Sequence, residues 1–364
     1  MSRGLRSRVA FVDWLRLAAA LQMITGHTVD AVLVEAARAS NVFDVWTRLR
    51  GLTAPAFLLA SGISFALASR LDDEAAYAGL RSRHGSRRRR IVRSAWLVVL
   101  GTLLHAFDAP WLVDVLQCVG VTLLALDLAV MLLPRPRDVT TVVALAALAT
   151  LAVALPLDRA ILADDHRGLA RYALAWIDRD GGSLFPLIPW AFYPFAGVLV
   201  ARIALPAGAR TAPRSVVAKL LFCAGALAVL SWTLDRGLEA PRADTWSSHP
   251  AVVLGRTSAV LALAGALAAA GARWDLPRWG TALAGETLAL YVTHLLVLFA
   301  PEIGPGRLWA HELTPARSLG LAAVMVAGSV GVALAWARLW PPLEARWFPF
   351  LRPPELVRAP RGDR

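Results

Sequence analysis

Apolar runs about as long as a bilayer is thick recur along the whole chain, separated by short polar or Arg-rich segments. A spanning helix needs about 20 predominantly apolar residues. On that measure the pattern predicts ten spans, at about 9–33, 50–69, 91–108, 112–133, 139–157, 184–203, 216–235, 251–271, 281–300 and 317–338. None of the apolar runs alternates in the manner of a strand. The expected fold class is therefore all-α, a polytopic integral membrane bundle read as one domain over 1–364, with a Pro/Arg-rich tail from 339 to 364. The first run is too long for the apolar core of a signal peptide, so it reads as a retained signal anchor.

The leading span departs from the pattern in an informative way. Arg8 to Asp30, RVAFVDWLRLAAALQMITGHTVD, is long enough to cross yet carries Asp13, Arg16, His27 and Asp30. A helix turns about 100° and rises about 1.5 Å per residue, so Arg16 and His27 share a face within about 20° and lie roughly 16 Å apart. Ionisable groups inside a span cost about 2.5 kcal/mol or more each, so they mark a partner or a function.

Charge sets the topology. Of the 38 Arg and Lys, the larger share falls on the side of both termini when the connecting segments alternate, and the positive-inside rule makes that side cytoplasmic. The densest run, Arg81 to Arg93, leads into the third span; most of it suits topology and anionic headgroups, while Arg90 and Arg93 stand where the helix enters the bundle. A net charge of +12 spread in this way suits a bilayer and not nucleic acid. The cysteines, Cys118 and Cys223, both fall within spans, and their spacing supports neither a disulfide nor a metal site. The expected location is the cell membrane, with no metal.

This topology brings three of the seven histidines to one level. With the first, third and ninth spans running outward, His27, His105 and His294 lie at depths of about 27, 21 and 20 Å from the cytoplasmic side. Asp30, Asp108, Asp114 and Gln117 share that outer rim. The external segment 158–183 is expected to hold one short interfacial helix near 169–177 and to cap an opening, with Gly181-Gly182 breaking it before Pro186 and Pro189. Trp46, Trp111, Trp190 and Trp246 fall near the outer rim, where indoles serve as belt anchors or stack on sugars.

A carboxylate-oriented imidazole suits acyl transfer, in which an acceptor hydroxyl or amine sheds a proton as it attacks a thioester. His27 is the candidate base with Asp30 as orienter; His294 and His105 are further candidates. His27 as a covalent acyl carrier would use the same residues. Arg16, Arg90 and Arg93 at the cytoplasmic mouth suit the phosphates of an acyl-CoA, with Gln117 as a further donor-binding candidate. The soluble-enzyme motifs GxSxG and HExxH and the glycine-rich phosphate loops are absent from the sequence. The alternative is a proton-coupled transporter or flippase using the same His and Asp residues.

RVAFVDWLRLAAALQMITGH also resembles the opening signature of the transmembrane acyltransferases, that is, the acyltransferase-3 family and, more closely, the heparan-alpha-glucosaminide N-acetyltransferase catalytic-domain-like family. LTAPAFLLASGISF (52–65), the basic segment 87–103, VLQCVGVT (115–122), FPLIPWAFYPFAG (185–197) and GETLALYVTHL (285–295) are similar, in order, to blocks of the second family, over roughly residues 8–300. The resemblance implies transfer of an acyl group, usually acetyl from acetyl-CoA, to an extracytoplasmic sugar or lipid-linked glycan. It also gives His27, Arg16 and His294 the family's polar site, its arginine and its late histidine. Leu17 and Cys118 depart from the pattern, and Glu35 to Leu49 carries no histidine, which leaves His27 as the expected base.

Overall fold

The computed structural model describes residues 10–77, 83–106, 112–133, 135–161, 173–177, 183–205, 213–238, 248–274 and 276–347. Among them every regular element is a helix, apart from one isolated bridge between Leu33 and Leu313. The long helices are α1 (Ala10–Val32), α4 (Thr53–Tyr77), α5 (Arg83–Leu104), α6 (Val115–Leu132), α7 (Pro136–Ile161), α9 (Phe192–Ala204), α10 (Pro213–Gly237), α11 (Pro250–Gly271), α13 (Thr287–Leu298) and α15 (Pro315–Trp347). Short helices join them: α2 (Glu35–Arg38), α3 (Asn41–Arg50), α8 (Leu187–Trp190), α12 (Arg278–Gly285) and α14 (Pro305–Leu308).

Among the described residues, seven helical stretches are long and apolar enough to cross a membrane, or eight if the bent pair α12–α13 is one span. The molecule is thus an all-α, multi-pass membrane bundle. α1 and α5 reach spanning length but lie outside that set. Arg16, Gln22, His27 and Asp30 interrupt the apolar run of α1, and five arginines load the first half of α5 between Arg87 and Arg93. The two helices that fail on composition carry Arg16, His27, Asp30, Arg90 and Arg93 of the expected site residues.

α1 is central, with twelve buried residues against neighbours on several sides. One core joins its Phe11, Val12 and Leu15 to Leu58, Leu59 and Ile63 of α4, Tyr193 of α9 and Leu261 of α11. A second joins its Ala20 and Ile24 to Leu290 and Leu298 of α13 and Met325 of α15. The tightest helix crossing is α4 on α9. A Cβ on Gly62 would fall 1.9 Å from the Pro194 carbonyl oxygen, and one on Gly197 would fall 2.2 Å from that of Leu59, so glycine alone permits this approach.

Several elements extend or modify the pattern read from the sequence. The predicted external stretch 35–49 contains α3, whose start Ser40 caps by accepting from the Phe43 amide at 3.3 Å; none of α3 is buried. The ninth predicted span is broken, α12 and α13 meeting at 71° around Glu286. α15 runs nine residues beyond the predicted end of the tenth span at 338, through Pro341 and Pro342. Of the predicted interfacial helix near 169–177, only 173–177 is described, a single turn whose Trp176 carbonyl accepts from the Leu187 amide at 2.7 Å. The rest of that segment, Asp108, Trp111, Trp246 and the end of the tail from 348 lie outside the described residues.

Candidate functional site

α1 sets the site because it carries a guanidinium and an imidazole on one face. That face borders a cavity of about 2050 Å³ lined by α1, α3, α4, α5, α6, α11, α13 and α15. Arg16, Met23 and His27 all border it from α1. Arg90 and Arg93 line it near Arg16, while Arg48, Arg50 and Arg256 line the end near His27.

The His27 ring is tied to α13. Its Nδ1 lies 3.0 Å from Nε2 of His294, and the two rings tilt at 33° with centroids 5.2 Å apart. His294 is fully buried, and its Nδ1 lies 3.0 Å from the Leu290 carbonyl oxygen. A carbonyl only accepts, so His294 donates from Nδ1, and its neutral ring keeps a lone pair on Nε2. That lone pair takes the Nδ1–H of His27. The lone pair of a neutral His27 then resides on Nε2, the nitrogen not held by α13. A partner chain of two imidazoles and one backbone carbonyl thereby selects the tautomer a general base requires.

Asp30 faces elsewhere. Its carboxylate pairs with Arg50, its backbone carbonyl accepts from Arg38, and His27 takes no bond from it. Helical geometry explains this, since three residues turn the chain by about 300° and swing Asp30 roughly 60° from the His27 direction, towards the α3 side. The carboxylate nearest the histidines is Asp114, whose Oδ2 accepts from the Tyr291 hydroxyl at 2.5 Å and lies 2.9 Å from Nε2 of His105. The Tyr291 ring in turn meets His294 edge-on at 5.7 Å. The three expected histidines thus assemble into one neighbourhood, His27 on α1, His294 on α13 and His105 just past the end of α5, with His105 joined through Asp114 and Tyr291 and not lining the cavity.

Gln117 has an architectural position. It closes the capping box at the start of α6, accepting from the Asp114 amide at 2.7 Å, and donates to Thr102 at 3.0 Å. It does not line the cavity. Among the arginines, Arg16 donates to the Thr287 hydroxyl at 3.2 Å at the bend between α12 and α13. Arg90 pairs with the buried Asp127 of α6 at 3.0 Å and lies over the Phe65 ring. Asp127 is a partner the sequence reading did not assign, although an aspartate inside so apolar a helix is itself a signal. Trp190, expected near the outer rim, is buried between Phe185 and Tyr193 and lines the cavity, so it is no lipid-facing anchor. Among the described residues, no group of three His, Cys, Asp or Glu side chains could hold a metal ion.

Residues 8–235 match the family model described as heparan-alpha-glucosaminide N-acetyltransferase, catalytic. The chain belongs to that family. The match begins with α1 and ends in α10, so it contains Arg16, His27, Arg90, Arg93, His105 and Asp114. The block 285–295, with Tyr291 and His294, lies beyond it, although its side chains complete the neighbourhood of His27. Membership in this family supports a membrane acetyltransferase. No curated protein matches the chain significantly.

Proposed function

We propose that this acetyltransferase takes its acetyl group from cytoplasmic acetyl-CoA and passes it, within the membrane, to a sugar or lipid-linked glycan at the outer mouth. His27 serves as base. The observation that carries the reading is that the phosphate-suited arginines and the imidazole border the same cavity. The reading takes α1 and α5 as spans in addition to the eight apolar ones, with both termini in the cytoplasm and the whole chain acting as one domain.

The donor set fits the co-substrate. Guanidinium groups form forked, charge-assisted hydrogen bonds to phosphate, and Arg16 and Arg93 stand where the CoA phosphates would meet the protein. The pantetheine arm follows the α1 wall upward past Met23. At the far end, the acceptor O–H or N–H gives its proton to Nε2 of His27 as its heteroatom attacks the thioester carbonyl. The C–S bond then breaks, and the proton passes from His27 to the departing thiolate, leaving CoA-SH and the acetylated acceptor. His294 holds the ring and its tautomer, and Tyr291 with Asp114 supports the ring of His294. The direct route needs only these residues. The transporter reading has less behind it: among the described residues one broken span is present, whereas transporters of the inverted-repeat kind have two in corresponding positions.

The test is CoA release from acetyl-CoA by the purified full-length protein in detergent. His27→Ala should lower kcat by roughly 100-fold or more, the usual contribution of a positioned base. Arg93→Ala should act chiefly on the KM for acetyl-CoA, raising it about tenfold, as loss of a hydrogen bond to a charged group does. Normal turnover in His27→Ala would remove His27 from the mechanism.

A further inference from the structure

Two indoles at the cytoplasmic end of the cavity have no part in the chemistry at His27. Trp336 and Trp340 lie one turn apart on α15 and stack, with ring centroids 4.8 Å apart and planes 16° from parallel. Both line the cavity. Arg93 and Trp96 of α5 and Thr287 and Leu288 of α13 line the same cavity.

Several side chains bordering this part of the cavity are exposed. Further along α5, Leu97, Leu100 and Leu104 belong, with Val292 and Leu295 of α13, to the apolar side chains packed around Met23, Leu116 and Tyr291. By contrast, Trp96, Leu288 and Trp336 are 60%, 40% and 41% exposed although each borders the cavity. The cavity is therefore bordered by the Arg93 guanidinium from α5 and by a stacked aromatic surface from α15. Tryptophans are common at the membrane interface, but these two stack on each other and border the cavity. These form a flat, partly open face beside a phosphate-suited set of charges. Planar π-surface next to cationic forks is the chemistry that takes up a purine nucleotide, because every base has a π-face and every nucleotide carries phosphate.

We propose that Trp336 and Trp340 form the platform on which the adenine base of the donor CoA stacks, with Arg93 and Arg16 holding its phosphates. The proposal rests on the acetyl-CoA reading above and adds to it the part of the donor that is recognised first. The adenine stays at the portal while the thioester end travels inward to His27, so the platform contributes to donor affinity and not to the chemical step.

The experiment compares two donors on the full-length protein: acetyl-CoA, and acetyl-pantetheine, which has the same thioester arm and no adenine nucleotide. In Trp336→Ala the KM for acetyl-CoA should rise roughly tenfold, within the range found when a base-stacking aromatic is removed. The kcat and the KM for acetyl-pantetheine should stay as in the wild type, and Trp336→Phe should restore most of the affinity. Calorimetric titration with CoA itself should show the same weakening in Trp336→Ala without any turnover. An unchanged KM for acetyl-CoA, or an equal rise for both donors, would overturn the platform and leave Trp336 as a lipid-facing or structural residue. If the wild type turned over neither thioester, the donor reading would fail on its own terms. The CoA titration would then decide the platform: binding that depends on Trp336 would support it, and absence of CoA binding would overturn it.

Discussion

At His27 the decisive feature is what its Nδ1 touches. An imidazole free to choose between tautomers presents a lone pair to substrate only part of the time, whereas one whose Nδ1–H is committed to His294 presents Nε2 always. His294→Phe keeps a ring of similar size in this fully buried place but removes the acceptor. The expected outcome is a fall of roughly tenfold in kcat, equivalent to about 1.4 kcal/mol of barrier, with KM for acetyl-CoA little changed. Steady-state CoA release checks it. A KM effect without a kcat effect would assign His294 to packing. The level of these histidines was legible from the sequence because rise per residue and span direction suffice to place them. Their pairing was not, because it depends on the relative rotation of α1 and α13 about their axes, which packing of Ala20 and Ile24 against Leu290 and Leu298 decides. Asp30 shows the limit of reading one helix alone. Its nearness to His27 in sequence suggested a pair, but Arg50 arrives from α3, an element with no apolar run to announce it.

The contact between α4 and α9 is set by two glycines. Gly62 and Gly197 belong to SGISF (61–65) and YPFAG (193–197), stretches that carry the family resemblance and also set this packing. Each Cβ would strike the other helix's backbone, which has no rotamer to yield. Gly197→Ala should therefore force α4 and α9 apart at an overpacking cost of about 1–3 kcal/mol, and lower the thermal unfolding temperature in detergent. Gly225→Ala is the matched control. It lies in α10, where an added Cβ meets nothing within 4 Å, and should be neutral or stabilising by up to about 1 kcal/mol through helix propensity. Equal effects at the two glycines would mean that the α4–α9 contact is not set by backbone approach. The same elements show which boundaries the hydrophobic pattern could not supply. The bend at Glu286 and the amphipathic α3 leave apolar content nearly unchanged within a span-length window, so only geometry reveals them.

For the whole molecule the claim is directional: donor from one side, acceptor from the other, with both reaching a single cavity. Its orientation rests on the Arg-rich segments, and a labelling experiment can read it without any enzymology. Ser40, at the start of α3, belongs to the side of His27 and Asp30, whereas Arg137, at the start of α7, is exposed at the opposite end of the bundle beside the carboxyl-terminal end of α6. The native thiols interfere little: Cys118 is fully buried, and the half-buried Cys223 can be replaced by serine. In that background, a membrane-impermeant maleimide added to intact cells should modify Ser40→Cys and spare Arg137→Cys, and permeabilisation should expose the second. The physical reason is that moving the basic run 87–93 to the outer side would set it against the potential and away from anionic cytoplasmic headgroups, each worth about 1 kcal/mol per basic residue near the surface. If Arg137→Cys were labelled from outside, both termini and the arginine mouth would face outward. Cytoplasmic acetyl-CoA could then not reach Arg16 and Arg93 directly, and the flow of acetyl through the cavity would have to run the other way.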